Sequence, residues 1–358
     1  MSVRMKSSRG FTLVELMVGL AVGLVVSVIA ISVFVSSRTL HSVNTSSNRM
    51  GENSRLAFDL LHRDLRSAGF QSCTQRSGAA PETTLNAGDG GFLNSGTSGV
   101  RGHRGTGVAF APALSAALSG IVGPNAPDPR SDIISIRVPV DLLSLGLSAS
   151  MTAASGVPSV GANTAGNTIV NGDIVLIANC KRSTLFQVTA ASPATTGLLT
   201  HDVGGGFQPG NSSTNLQHIY NKGDTAVYRV QTRHYYVAPS ALRPGTNSLW
   251  RFTVPSPAGA TNPEEMAAGI DRMVVTYGVD TDVLSDGVVN LYSNPDAVPG
   301  ASWDRVMSAR VQILTATTKD GTARSAQTVQ FAGSAVAATD KRLRDVMTEV
   351  IAMRSRTP

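Results

Sequence analysis

The sequence is poor in cysteine, in aromatic residues and in charge. Of its 358 residues only two are cysteine, 5% are aromatic and 15% are Asp, Glu, Lys or Arg. No C-x-x-C pair and no Cys/His cluster occurs, so zinc and dithiol redox sites have no motif to support them. Low charge with abundant Gly, Ser, Thr and Ala is typical of turns and sheet surfaces. We therefore expect a chain rich in strands and loops.

Common catalytic motifs are also missing. The six histidines form no H-E-x-x-H pattern, and no G-x-S-x-G stands at a strand–helix turn. The glycines of residues 88–107 are not followed by G-K-[ST], so they do not fit a phosphate-binding loop. We expect neither an enzyme nor a small-molecule substrate. The net charge is +6, of which three charges lie in the first ten residues, so we expect no nucleic-acid partner.

One long apolar run dominates the amino-terminal end of the chain. Arg4, Lys6 and Arg9 precede it without any acid, and from Phe11 twenty-five residues are apolar or small except Glu15. A run of this length spans the roughly 30 Å hydrocarbon core as a helix. Because the cations precede the run, we expect residues 1–10 on the cytoplasmic side and the rest of the chain beyond the membrane.

Glu15 is the unusual residue of this run. A carboxylate inside a membrane helix costs about 2.5 kcal/mol or more and usually has a partner. The run holds no cation within two turns of Glu15. A cut between Gly10 and Phe11 would create an amine one helical turn away, and this amine could pair with Glu15 of the same chain or of a neighbour.

Residues 9–15, RGFTLVE, resemble the class III leader of type IV prepilins and type II secretion pseudopilins. The resemblance implies that a prepilin peptidase cuts after Gly10, that Phe11 is then N-methylated, and that Glu15 guides subunit assembly. A Sec signal would instead place its apolar region before the cleavage site. A plain membrane anchor would explain the charge and the length of the run, but not Glu15.

Two further features concern the helix itself. Gly19, Gly23 and Ser27 are spaced by four, which lets membrane helices approach closely, although glycine is also frequent in such helices. Beyond the apolar run, residues 38–69 keep an apolar stripe at helical spacing without any proline. We predict one helix over 11–69, with 11–37 in the membrane, 38–69 amphipathic and Gly69 as its stop.

The downstream sequence predicts a sheet domain over 70–358. Long loops are expected at 74–130, with a short helix at 112–119, and surface insertions at 141–168 and 191–224. A helix followed by many short strands is typical of the α+β class, here a long helix packed on an antiparallel sheet as in type IV pilins. The predicted strands are 131–140, 172–180, 183–190, 226–238, 248–254, 269–279, 306–317, 326–332 and 345–354.

This domain contains two candidate sites. Cys73 and Cys180 would lie in an oxidising compartment and are expected to form a disulfide, with two buried thiols as the alternative. Asp280, Asp282 and Asp286 resemble a calcium loop because oxygen ligands alternate. The twelfth position counted from Asp280 is Leu291 rather than Glu, so a solvated turn is the competing interpretation and no cofactor is firmly expected.

The segment 57–73, the Tyr228-Arg229 pair and the block 269–282 resemble the minor pilin family PilW. The resemblance implies a structural subunit that helps initiate type IV pilus assembly, with twitching motility and attachment as the outcome. Its implied partners are prepilin peptidase, other minor pilins, the major pilin and the inner-membrane assembly platform. The implied location is the inner membrane, with a periplasmic domain, and then the pilus. A J-type type II secretion pseudopilin and a pilus-borne adhesin are the alternatives.

Overall fold

The computed structural model describes most of the chain beyond the cleavage motif. The described residues are 12–73, 81–86, 92, 98–140, 144–204, 206–255, 261–284, 286–298 and 302–353. Gly10 and Phe11 therefore lie outside the described residues.

One long helix, α1, runs over Leu13–Ser67 and has 55 residues. At 1.5 Å per residue it is about 82 Å long. Its first part, up to His41, is exposed along its whole surface, and from Ser42 onwards the helix is partly covered by the rest of the protein. Ala68 caps the helix end, and Gly69 follows with a left-handed φ of +72°, which glycine adopts without strain. The Gly69 N–H donates to the carbonyl of Arg137 at 3.3 Å, so the helix end is tied to the sheet.

In the described residues beyond α1, the chain forms strands, two four-residue α-helices and three short 3-10 helices. The α-helices are α2, Ala116–Ser119, and α3, Pro193–Thr196. The strands are β1 Glu82–Thr83, β2 Val100–Gly105, β3 Phe110–Ala111, β4 Ile133–Pro139, β5 Leu145–Gly146, β6 Ile174–Ala178, β7 Ser183–Gln187, β8 Ala226–Pro239, β9 Asn247–Val254, β10 Glu264–Ala268, β11 Ile270–Val279, β12 Leu291–Ser293, β13 Val306–Ala316, β14 Thr328–Phe331, β15 Ser334–Ala337 and β16 Arg344–Ala352.

The larger sheet is centred on β8. Its main path through the described strands is β1-β7-β6-β8-β4-β2-β3, with β5 and β9 also paired to β8 and β10 paired to β9. The pairs are antiparallel except β1 with β7. The two predicted strands 172–180 and 183–190 appear as β6 and β7 and form a hairpin, with Leu176 opposite Leu185. The 14-residue length of β8 lets different strands pair with its two halves.

The second sheet has the order β12-β11-β13-β16 and is antiparallel throughout. Its inner face, the inner face of the larger sheet and the second half of α1 share one core. Leu61 and Leu65 of the helix pack there with Tyr235 of β8, Val275 of β11 and Ile313 of β13. The predicted α+β architecture, a long amino-terminal helix packed on sheet, is confirmed.

The predicted loop over 74–130 is wrong in part. Residues 100–105 form strand β2, paired with β4, and only residues 116–119 of the predicted helix 112–119 are helical. Gly102 explains the strand, because a Cβ at this position would overlap the ring of Tyr277. The sequence VRGHRG has the composition of a loop, but a residue without a side chain is needed where β2 passes over that ring.

The predicted surface insertions 141–168 and 191–224 are also wrong in part. Their scattered apolar residues, among them Met151, Leu199 and Tyr220, are buried against β6 and β7 and form a second core on that sheet. His201 and Asn211 are buried with them, and Asn211 Nδ2 donates to the carbonyl of Gln187 at 2.7 Å. Apolar residues are sparse in these two segments, so their local pattern did not indicate a buried layer. The layer is recognisable only once the segments are seen to pack on β6 and β7.

Candidate functional site

The start of α1 is built around Thr12 and Glu15. The Thr12 backbone N–H donates to Glu15 Oε2 at 3.0 Å, and the Glu15 N–H donates to Thr12 Oγ1 at 3.2 Å. These two bonds form a capping box, the T-x-x-E arrangement that satisfies two of the unpaired N–H groups at a helix start. From the sequence, only charged partners were expected for Glu15. In the structure its carboxylate bonds to Thr12, a neighbouring and uncharged residue.

This local contact leaves the assembly role of Glu15 a prediction. One carboxylate oxygen, Oε2, receives both the Thr12 N–H and the Thr12 hydroxyl at 3.1 Å. A carboxylate has acceptor sites on two oxygens, so the cap leaves capacity for a cation from another chain. The side chain is exposed in the single subunit, as are all helix residues around it.

The first half of α1 is long and apolar enough to cross a membrane. On its surface Gly19 and Gly23 have open space where a side chain would stand, and Ser27 Oγ donates to the carbonyl of Gly23 at 2.8 Å. The Ser27 hydroxyl therefore bonds within the helix rather than pointing outward from the predicted small-residue face. Close packing of this face against another helix stays a prediction.

Asp64 joins the helix to the larger sheet. Its carboxylate accepts from Arg233 Nη1 at 2.7 Å and from the Tyr235 hydroxyl at 2.6 Å. The Asp64 side chain is 2% exposed and that of Arg233 is 16% exposed, so the pair is largely shielded from water. Burial, followed by the charge of Asp64, raises the pKa of Tyr235 above its usual value. The tyrosine therefore remains a neutral donor to the carboxylate.

Sequence reasoning missed Asp64, although a signal was present. Met50 and Ala57 belong to the predicted apolar stripe, and the next position at the same spacing of seven is Asp64. An acid on the apolar face of an amphipathic helix needs a partner on the surface it covers. The alternation of β8 supplies two of them, because Arg233 and Tyr235 lie two residues apart on one face of the strand.

The far end of α1 is fixed by the disulfide and by a buried arginine. Cys73 and Cys180 are bonded, with their Cα atoms 4.6 Å apart and 107 positions apart in sequence. Phe70 packs edge-on against Tyr228 close to this bond, with ring centroids 5.0 Å apart. Arg137, whose carbonyl holds Gly69, lies over the ring of Phe92, and burial lowers its pKa to about 10. The predicted pairing of the two cysteines is present in the structure.

The three aspartates of the predicted calcium loop do meet. Asp280, Asp282 and Asp286 each offer an oxygen within 4.8 Å of the others. Asp280 is buried, and its two oxygens accept from the N–H groups of Asp282 at 3.1 Å and Gly287 at 3.0 Å. These bonds fold the turn after β11 in the way that aspartates commonly do. The arrangement therefore agrees with the solvated-turn interpretation, and calcium binding stays an untested alternative.

The histidines give little support to catalysis. The buried His234 bonds to Ser135 Oγ through Nδ1 at 2.7 Å, but neither side chain is exposed to solvent. Burial lowers the pKa of His234 to about 3, so its ring is neutral at physiological pH. His62 is half-exposed and contacts Glu349 at 2.6 Å on the surface between α1 and β16. The Ser135–His234 pair lies in the sheet interior, where a substrate does not reach it.

Comparisons with known proteins agree with this geometry at both ends of the chain. Residues 234–355 match the family model described as Type IV Pilus-assembly protein W, PilW, and residues 5–31 match the prokaryotic N-terminal methylation motif. The resemblance to the PilW family is confirmed. The PilW match begins in β8 and includes β16, the second sheet and the aspartate turn, whereas the methylation motif includes Gly10, Phe11 and Glu15.

No curated protein matches the chain. A type IV-like pilin from Thermus thermophilus is similar among solved structures, at 10% sequence identity and a TM-score of 0.33. That similarity covers 87% of this chain and 99% of the pilin. The PilW family and this pilin are structural proteins. Cys180 and the second core lie outside the two matched ranges.

Proposed function

We propose that this chain is a minor pilin that takes part in the initiation of type IV pilus assembly. The observation that carries the proposal is the presence of both motifs on one chain, the methylation motif at 5–31 and the PilW match at 234–355. A single helix, α1, connects the first motif to a core to which the second contributes most strands. In this proposal residues 1–10 are a leader, 11–69 the pilin helix and 70–358 the periplasmic domain.

The contacts of α1 support a role in which the sheet domain moves together with the membrane helix. The Asp64 pair, the buried stripe and the disulfide fix the second half of the helix to both sheets. The first half carries only the cap, the small-residue face and an exposed apolar surface. Such a subunit can be moved as one body when its exposed helix leaves the lipid for neighbouring helices. The partners in that step are prepilin peptidase, other pilins and the assembly platform.

The adhesin alternative has one feature in its favour. A surface cavity of about 620 Å³ lies between the turn at 170–173, the segment 207–209 and the end of β9. The partly exposed Phe207 and the buried Gln187 both line it. Apolar walls with a few amides are common in sites for small ligands. A J-type pseudopilin role has no comparable feature in its favour.

Gene deletion with complementation separates the three functions. In a strain that lacks the gene, surface pili, type II secretion and attachment are scored separately. A minor pilin role predicts few pili and normal secretion, both restored by the wild-type gene. Lost secretion with normal pili would instead indicate a pseudopilin. Normal pili and secretion with weak attachment would indicate an adhesin.

A further inference from the structure

A small lobe formed after β13 contacts α1 where the helix first becomes covered beyond its apolar run. It consists of residues 317–343, which include the hairpin of β14 and β15. The Lys319 ammonium donates to Ser42 Oγ on α1 at 3.2 Å, and Ser42 is the first helix residue that is partly covered. The apolar run ends near Ser37, five residues earlier, so Ser42 lies about 8 Å further along the helix axis. The lobe therefore stands at headgroup height beside the helix.

The lobe carries exposed cationic side chains. Lys319, Arg324 and Lys341 are exposed, and none of them forms an ion pair with the residues that the structure describes. They are held close together, because the Lys341 N–H donates to Asp320 Oδ1 at 2.8 Å and the Lys341 carbonyl accepts from the N–H of Ala323 at 2.8 Å. Asp320 also accepts from the N–H of Gly321, and the second acid of the lobe, Asp340, is paired with Arg342 and Arg344. These bonds hold the backbone of the lobe around Lys319, Arg324 and Lys341 in a defined arrangement.

Arg38 adds a cation from the helix itself. It is the first charged residue after Glu15, lies one turn below Ser42, and its guanidinium stands 4.5 Å from the ring centre of Phe34. Arginine and aromatic residues in this arrangement are typical of the membrane boundary. Anionic headgroups attract juxtamembrane Lys and Arg, and the attraction falls off within a Debye length of about 10 Å. Arg38 and Lys319, which contacts Ser42, lie within that distance of the end of the apolar run along the helix axis.

We propose that this lobe, with Lys319, Arg324 and Lys341, docks on the anionic phospholipid headgroups of the leaflet from which α1 emerges. The docked lobe fixes the tilt and rotation of the sheet domain over the membrane before the subunit has any protein neighbour. Leaving the bilayer then requires that these contacts be broken. The inference needs only that α1 crosses a membrane, so it stands or falls separately from the pilus role.

The chain carries internal reporters for a test. Lys319 and Lys341 lie in the lobe, whereas Lys181 follows β6 and Lys222 precedes β8 at the opposite end of the larger sheet. The full chain is placed in nanodiscs of phosphatidylcholine, with or without phosphatidylglycerol, and treated with a water-soluble acetylating reagent. Mass spectrometry then gives the acetylation rate of each lysine. An amine held against phosphate groups stays protonated and shielded, so it reacts more slowly.

We expect Lys319 and Lys341 to react about threefold more slowly in the anionic discs, and this slowing to disappear in 0.5 M salt as the headgroup charge is screened. Lys181 and Lys222 should change little. Arg324→Glu should reduce the slowing at both lobe lysines. Arg55→Glu, at an exposed position on α1 about 27 Å beyond Ser37, is the matched charge reversal and should preserve it. Equal rates in the two discs, or full slowing in Arg324→Glu, would overturn the proposal.

Discussion

At the first turn of α1, the Glu15 carboxylate caps the helix and is also predicted to pair with a cation, and the two roles can be tested separately. Glu15 caps the helix through Thr12, and its charge is available to the amine that cleavage before Phe11 would create. Glutamine keeps the cap, since its amide oxygen accepts the same N–H, but it carries no charge. Alanine removes both. The pair of substitutions therefore distinguishes helix capping from charge pairing.

We predict that Glu15→Ala and Glu15→Gln are both processed and folded, and that both initiate few pili. The sheet domain should be unaffected because its contacts with α1 begin near Ser42. The measurement is the number of surface pili in a deletion strain that expresses each variant at native level. Wild-type numbers for Gln alone would assign the effect to capping. Wild-type numbers for both variants would show that the carboxylate is dispensable.

Asp64 and Arg233 form the buried ion pair that holds α1 on the larger sheet. Asp64→Asn keeps the side-chain shape but leaves the Arg233 guanidinium without its counter-charge. We predict a loss of about 2–4 kcal/mol in the free energy of unfolding, because breaking a shielded pair leaves one charge uncompensated. Denaturant unfolding of the full chain in detergent measures it.

The control for this experiment is Asp59→Asn on the exposed side of the same helix. It removes one negative charge at a surface position and should change the free energy of unfolding by no more than about 0.5 kcal/mol. If Asp64→Asn were as stable as Asp59→Asn, the pair would not be what holds the helix on the sheet.

Among the elements, α1 was the easiest to predict, and strands near the edge of the larger sheet, such as β2, were the hardest. The apolar run, the apolar stripe beyond it and Gly69 define α1 locally, so its bounds lie within two residues of the prediction. Strands β4, β6, β7, β8 and β9 also follow from apolar runs. Strand β2 depends instead on a glycine that fits over Tyr277, a contact 175 positions away that no local pattern reveals.

The same distinction applies to the candidate site. The cleavage motif, Glu15 and the cysteines are readable because their chemistry is local or depends on residue type alone. The partners of Asp64 are not readable, because they depend on which face of β8 meets α1. Within the lobe after β13, the sequence predicted only one strand. The proposed role of the lobe depends on its contact with Ser42, which no local pattern reveals.

At the junction of helix and sheet, Gly99 should tolerate no side chain. A Cβ at this position would overlap the backbone of Gly69, which sets the end of α1. We predict that Gly99→Ala lowers the free energy of unfolding by about 1–3 kcal/mol, as overpacking against a backbone does. Gly146→Ala is the control, since open space surrounds Gly146 in β5. Equal stability of the two variants in denaturant unfolding would contradict the close approach.

The disulfide joins the end of α1 to the turn between β6 and β7. We predict that alkylation of the exported, folded protein without reduction labels neither Cys73 nor Cys180. Reduction should then lower the free energy of unfolding, by up to about 4–5 kcal/mol if loop entropy dominates for a separation of 107 residues. Labelling of both thiols before reduction would mean that they act only as packing residues in the cell.

For the molecule as a whole, two anchoring systems meet on one helix. The first half of α1 is exposed and apolar, whereas the second half is fixed to two sheets by a shared core, an ion pair and the disulfide. The lobe, residues 317–343, contacts α1 at Ser42, between these two halves. In the proposed function, this division lets the chain leave the bilayer for a filament without refolding its sheet domain.

The most direct test of the central claim is mass spectrometry of surface filaments sheared from cells that express this chain at native level. The account predicts a processed chain in the filaments that begins at N-methylated Phe11, with residues 1–10 absent. A variant with a bulky residue in place of Gly10 should keep its leader, remain in the membrane and be missing from the filaments. Finding the wild-type chain only in the membrane, with residues 1–10 still attached, would contradict the account.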